Sequence, residues 1–184
     1  MQPLISVAAI VALLAAVPAL AGIDIGPAVG STAPALSVVD AGGKPQSLKT
    51  IAANKGTVLM FFRSAKWCPY CQHQLIEFKD AAAPLAARGY RLAAVSYDAP
   101  ETLSTFAAKQ GIGYLLLSDA GSKTIDAFGL RDPQYPATSF AFGVPKPAIF
   151  VIDAKGVVRG KLAEEGYKVR PPVAAVLALV DSLK

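Results

Sequence analysis

Apolar residues in this chain fall into short unbroken runs, separated by stretches of helical periodicity. Thr57-Val58-Leu59-Met60-Phe61-Phe62, the run from Leu92 to Tyr97 and the run from Pro147 to Asp153 are each too short for a helix of their own. They read as strands buried on both faces. From Cys71 to Arg88, Leu75, Ile76, Phe78 and Leu85 suit a helix that Pro84 should kink or end early. Pro100 to Gln110 reads as a helix with proline near its first turn. Tyr114 to Leu117 is a short strand, and Ser122 to Phe128 a short helix stopped at Gly129. At the front, Leu36 to Asp40 and Gln46 to Leu48 flank Ala41-Gly42-Gly43-Lys44, which predicts a hairpin. At the back, Val157 to Leu162 returns from the turn Ala154-Lys155-Gly156, and Pro172 to Leu183 has an amphipathic helical pattern. Leu130 to Lys146 is irregular, with Pro133, Pro136 and Pro145 among Tyr135, Phe140 and Phe142. Strands alternating with helices predict an α/β fold. Its central mixed β-sheet is flanked by helices on both faces and preceded by an N-terminal β-hairpin.

The first 21 residues stand apart from this pattern. They contain no charged side chain; Leu4 to Ala16 is apolar except for Ser6, and Pro18 precedes Ala19-Leu20-Ala21. That is the pattern of a signal peptide over residues 1–21, cleaved after Ala21. It predicts a periplasmic or secreted protein. The competing reading is an uncleaved membrane anchor, since the apolar run approaches the roughly 17–25 residues a spanning helix needs. Residues 22–35, rich in Gly, Ala and Pro, form an extended lead-in, and residues 36–184 a single domain. A composition 53% hydrophobic and only 17% charged excludes a disordered chain. The net charge of +5 is scattered, without a basic run interleaved with aromatics, so nucleic acid is not an expected partner. No later segment is apolar enough to hold the chain to a membrane once the signal is removed.

The chemistry concentrates in Trp67-Cys68-Pro69-Tyr70-Cys71. The chain has two cysteines and one histidine, His73, too few for a four-ligand zinc site or a disulfide framework. Haem attachment needs histidine directly after the second cysteine, where Gln72 stands. The pair follows a buried strand and opens a helix. There, free backbone N–H groups and the helix dipole favour a thiolate at Cys68. Cys71, one turn on, can resolve a mixed disulfide or sulfenic acid formed at Cys68. Arg63 and Lys66 add positive potential nearby. A loop this short constrains the unfolded chain little, so stabilisation is a poor reason for the bridge. No cofactor is expected, because the electrons pass through the cysteines. His73 reads as an exposed helix residue, Phe140 and Phe142 as core cover, and Glu164-Glu165-Gly166-Tyr167 as a turn without a chemical role.

From Ala33 to Lys184 the chain resembles the thioredoxin superfamily. Within it, the chain is most similar to the alkyl hydroperoxide reductase/thiol-specific antioxidant branch of redoxins, which is peroxiredoxin-like. The resemblance rests on the hairpin around Gly42-Gly43, on Val58 to Phe62 leading into the cysteines, on Val95-Ser96-Tyr97-Asp98, and on Pro147 to Asp153 followed by Lys155-Gly156. Pro69-Tyr70 between the cysteines is similar to glutaredoxins. The resemblance implies a thioredoxin-like fold. It also implies a substrate groove of Trp67, Pro69, Tyr70 and Pro147, with Pro147 in the register of the superfamily's cis-proline. Departures matter equally. Phe61 and Ala65 stand where peroxiredoxins carry Pro and Thr or Ser, with Ser64 one place off. Pro147 stands in the register of the peroxiredoxin arginine, and Phe62 near the buried acid of thioredoxin. Glu77, two turns along the helix, could take the Cys71 proton but reads as solvated, so the acceptor stays unassigned, with water as the alternative. These substitutions rank an exported thiol–disulfide oxidoreductase first and a thiol-dependent peroxidase second. Redox partners are then protein or small-molecule thiols and disulfides, or peroxide. A copper(I) chaperone ranks third, because Met1 and Met60 form no methionine cluster.

Overall fold

The structure is a computed structural model that describes residues 23–183. The proposed signal peptide lies outside them. The hairpin comes first, as strands β1 (Val38–Asp40) and β2 (Pro45–Gln46), paired antiparallel. The second strand ends earlier than the apolar pattern suggests. Ser47 accepts a hydrogen bond from the Thr50 amide while Thr50 bonds back to the Ser47 amide, and this reciprocal cap starts helix α1 (Leu48–Ile51).

The centre of the sheet is β3 (Gly56–Phe61), every residue of which is buried. Gly56 opens it at φ +141°, where a Cβ would lie 2.0 Å from the Ile152 carbonyl oxygen. Helices α2 (Pro69–Glu77) and α3 (Lys79–Ala87) follow. The expected break at Pro84 falls instead at Phe78, which is fully buried and takes a non-propagating backbone conformation (ψ −4°). Pro84 is then six residues into a new helix and forgoes a single backbone bond. Next come β4 (Tyr90–Ser96), α4 (Pro100–Gln110), β5 (Leu115–Ser118) and α5 (Lys123–Ala127). After an irregular segment come β6 (Ala148–Asp153), β7 (Val158–Leu162) and α6 (Val173–Ser182).

The seven strands form one sheet in the order β2-β1-β5-β4-β3-β6-β7. β3, β4 and β5 run parallel, and the remaining pairings are antiparallel. Alternation along β3 divides the core. Val58, Met60 and Phe62 join the residues of α2, α3, α4 and α6 on one face. Leu59 and Phe61 join Ile51, Ile125 and Phe128 on the other. Helices therefore cover both faces, as the sequence predicts. Residues 30–33 run along the outer edge of β7, with Gly30 and Ala33 amides bonded to the Val158 and Gly156 carbonyls at 2.8 Å. That pairing covers a strand edge that would otherwise be open. Among the described residues, no helix is long and apolar enough to cross a membrane.

Candidate active site

The loop between β3 and α2 is fixed before it reaches the cysteines. Phe62 continues the sheet by donating its amide to the Val95 carbonyl at 3.0 Å. Asp98, buried just beyond the end of the neighbouring strand, then takes hold of the chain. Its carboxylate accepts from the Ser64 hydroxyl and the Ala65 amide at 2.7 Å, and from the Ser96 hydroxyl at 2.9 Å. Ser64 in turn accepts from the Lys66 amide at 2.9 Å and the Trp67 amide at 3.4 Å. Gln72, on the first turns of α2, donates back to the Ala65 carbonyl at 2.8 Å. The backbone from 64 to 67 is thus held from two sides.

Cys68 is the N-cap of α2, with extended backbone, and Pro69 occupies the first turn. The Cys71 amide donates to Cys68 Sγ at 3.3 Å. The two cysteines are joined in a disulfide, with Cα atoms 5.2 Å apart. Both are buried. Arg170, from the segment between β7 and α6, donates from Nη2 to Cys71 Sγ at 3.5 Å. Its guanidinium is pushed down to about 10, first by burial and then by the like charge of Arg63. It still carries its charge at neutral pH.

Arg63 is 2% exposed and is enclosed by rings. Its guanidinium carbon lies 4.1 Å from the ring centre of Tyr167, 5.0 Å from Tyr135 and 5.1 Å from Trp67. It also donates to the Tyr135 hydroxyl. Trp67 itself donates from Nε1 to the Tyr97 hydroxyl at 2.9 Å and meets Phe140 edge-on at 5.3 Å. Burial raises the Tyr97 phenol above its ordinary value, against the opposing effects of the Trp67 bond and Arg63.

Of the residues predicted from sequence, Trp67, Cys68, Pro69, Tyr70 and Cys71 lie together at the start of α2, with the two cysteines buried. Pro69 and Tyr70 face solvent, and the Tyr70 ring meets Tyr167 at 6.0 Å. Pro147 and Tyr167 line a cavity of about 280 Å³ together with Gln134 and Lys146. The bond preceding Pro147 is trans, which corrects the expected cis-proline: no cis peptide occurs among the described residues. The physical reason lies upstream. Asp132 and Lys146 amides bond to Val144 and Leu130 carbonyls at 2.9 and 2.7 Å, and Arg131 bridges Pro145. That short ladder carries the chain extended into β6. Phe140 and Phe142 are also corrected. They are exposed, not core cover, since this loop projects them past the sheet. Phe142 instead lies under the Arg131 guanidinium at 4.6 Å.

His73 is exposed, 4.0 Å from Glu77, and neither approaches a role in the pair. Four contributors were given no role from sequence, and for Tyr167, read as part of a turn without a chemical role, the stacking on Arg63 is a correction. Asp98 had a readable signal, an acid flanked by Ser96 at the end of a buried strand. Tyr135, Tyr167 and Arg170 had none, because only the fold brings residues 135 and 167–170 to residues 63–71.

Residues 29–161 match the AhpC/TSA family. The chloroplastic peroxiredoxin Q of Sedum lineare is 28% identical over 155 residues, covering 84% of this chain and 78% of that protein. The peroxiredoxin bcp1 of Schizosaccharomyces pombe is 31% identical over 105 residues, covering 57% of this chain and 53% of that protein. Among solved structures, the peroxidoxin BcpB of Mycobacterium tuberculosis superposes with a TM-score of 0.74 at 23% identity. That match covers 88% of this chain and 99% of the other. The thioredoxin-like fold follows, and the chain belongs to the AhpC/TSA family.

Proposed function

We propose that this protein is a thiol-dependent peroxidase that works through the Cys68–Cys71 pair. The carrying observation is a disulfide at the N-cap of α2 in a chain whose relatives are named peroxiredoxins. In the reduced enzyme the Cys68 thiolate attacks the terminal peroxide oxygen. The O–O bond breaks, an S–O bond forms, and the alcohol or water leaves with a proton. Cys71 then attacks the sulfenic acid, releasing water and forming the disulfide. An external dithiol donates two electrons to restore the pair.

This reverses the order reached from sequence alone, where missing peroxide-activating groups placed disulfide exchange first. The Ser64 hydroxyl is indeed committed to Asp98. Cations nevertheless lie around the pair although position 147 holds proline: Arg63 stacks on Trp67, the residue before Cys68, and Arg170 donates to Cys71 Sγ. Disulfide exchange with protein substrates stays as a second reading. Its support is the exposed aromatic and proline surface of Pro69, Tyr70 and Phe140 around the pair.

Peroxide consumption with dithiothreitol as electron donor tests the main reading. The expected result is a loss of about 10³-fold or more in kcat/KM for Cys68→Ser, typical of losing a nucleophile. A wild-type rate no faster than a free thiolate overturns it. In that event, insulin reduction abolished by Cys68→Ser would establish the second reading.

A further inference from the structure

The oxidised protein buries positive charge beside the disulfide without an anion to match it. Arg63 has two buried donors, Nε and Nη1, with no hydrogen-bond partner, and Arg170 has one, Nε. Neither arginine takes part in an ion pair formed among the described residues. The partners they do have are neutral. Arg63 has three rings and a phenol, and Arg170 has the Val169 carbonyl at 3.0 Å and the Cys71 sulfur. Arg63 is buried and Arg170 half-buried, and cations held this way carry a desolvation cost, larger for Arg63, that neutral partners offset only in part.

Reduction changes that balance at one atom. An external thiolate attacks Cys68 Sγ and forms a new S–S bond to it. The Cys68–Cys71 bond breaks, and its electron pair goes to Cys71 Sγ, which leaves as a thiolate. A second donor thiolate attacks the donor sulfur of that mixed disulfide and displaces Cys68 as the thiolate that serves as nucleophile above, and the donor departs as its disulfide. The anion thus appears on the sulfur that Arg170 already touches, within the field of Arg63.

We propose that Arg170, reinforced by Arg63, stabilises the Cys71 thiolate and so makes the Cys68–Cys71 disulfide a strong oxidant whose reduced state is the favoured one. A couple becomes oxidising when its reduced form is the better stabilised of the two. The charge cluster therefore sets the direction of electron flow. Thiol donors reduce the pair readily, and only a strong oxidant such as a peroxide returns it to the disulfide. The inference rests on the redox role proposed above for the pair, and it does not require that the oxidant be a peroxide.

Equilibration of the full chain in glutathione buffers of graded ratio, with trapped thiols counted by mass, reads the effect. Arg170→Met is expected to move the equilibrium about tenfold toward the disulfide, which is about 30 mV. Arg170→Lys, which keeps the charge, is expected to stay within about threefold of wild type. A shift under twofold in Arg170→Met, a shift toward the dithiol, or a pair that dithiothreitol cannot reduce overturns the proposal. A second measurement needs no variant. In urea, the reduced wild-type protein is expected to be more stable than the oxidised one, and the opposite order overturns the proposal. Failure of the peroxidase reading appears elsewhere, in peroxide consumption, and leaves the glutathione equilibrium unaffected.

Discussion

Two buried charges of opposite sign flank the entry to the cysteines, and they are treated differently. Asp98 accepts from two hydroxyls and an amide, all within 2.9 Å. Arg63 stacks among three rings, makes one bond to a phenol, and leaves Nε and Nη1 unmet. The partners of Asp98 all come from residues 64–96, inside one β3-helix-β4 unit. The partners of Arg63 come from residues 67, 135 and 167, three separate stretches of chain. A carboxylate with its acceptor sites filled by short bonds fixes geometry and has little left to give. A cation held by ring faces, which attract charge without claiming each N–H, keeps donors in reserve. The first arrangement positions the active loop; the second can respond when charge appears on a sulfur.

The largest expected effect breaks the first half of that comparison. Asp98→Ala leaves Ser64, Ser96 and the Ala65 amide buried without their acceptor. It should cost about 3–5 kcal/mol, because three buried donors each lose their acceptor at about 1–3 kcal/mol apiece, in part relieved by relaxation. For a domain of this size that lowers Tm by roughly 10 °C. Thermal unfolding of the oxidised protein measures it. A loss under about 1 kcal/mol would mean that the loop is held by Gln72 and the sheet alone.

A smaller effect tests the second half. Tyr135→Phe removes the hydroxyl to which Arg63 donates, and should cost about 1.5–3 kcal/mol, as for a hydrogen bond to a charged group. If the cation cluster is compensated by reduction, the loss should be greater in the oxidised form than in the reduced one. Urea unfolding of both redox forms makes the comparison. Equal losses in the two forms would show that Arg63 does not sense the charge on Cys71.

How far this was legible in the sequence follows the same division. Elements defined by short-range pattern were readable. The run from Val58 to Phe62, Pro100 at the start of α4 and the turn at Lys155-Gly156 all signal themselves locally, and the fold reproduces each. The placement of Cys68 at a helix start was readable for the same reason. What was hidden needed tertiary information. Pro84 carries a local rule against helix interiors, yet burial of Phe78 moved the break upstream. The register of Pro147 predicted a cis bond, but the pairing of residues 130–132 with 144–146 holds the chain extended. Arg170 lies 99 positions from Cys71, so no local window links the two.

The smallest expected effect gives the sharpest separation of the two clusters. Tyr167→Leu removes the ring closest to Arg63 and should cost about 1 kcal/mol, because the ring is partly exposed and what is lost is its attraction to the cation and its edge contact with Tyr70. Tyr135→Phe and Tyr167→Leu act on one guanidinium, so each changes what the other is worth. Their combined cost should depart from the sum by about 0.5 kcal/mol or more. Tyr167→Leu and Asp98→Asn share no hydrogen-bond partner, and their costs should add within about 0.5 kcal/mol. A double-mutant cycle by urea unfolding resolves the two cases. Additivity in the first pair would mean that Tyr167 packs over the loop without sensing Arg63. Coupling in the second would mean that anion and cation form one network, since a single network would transmit the loss of the ring to the carboxylate through Trp67 and the backbone that Ser64 holds.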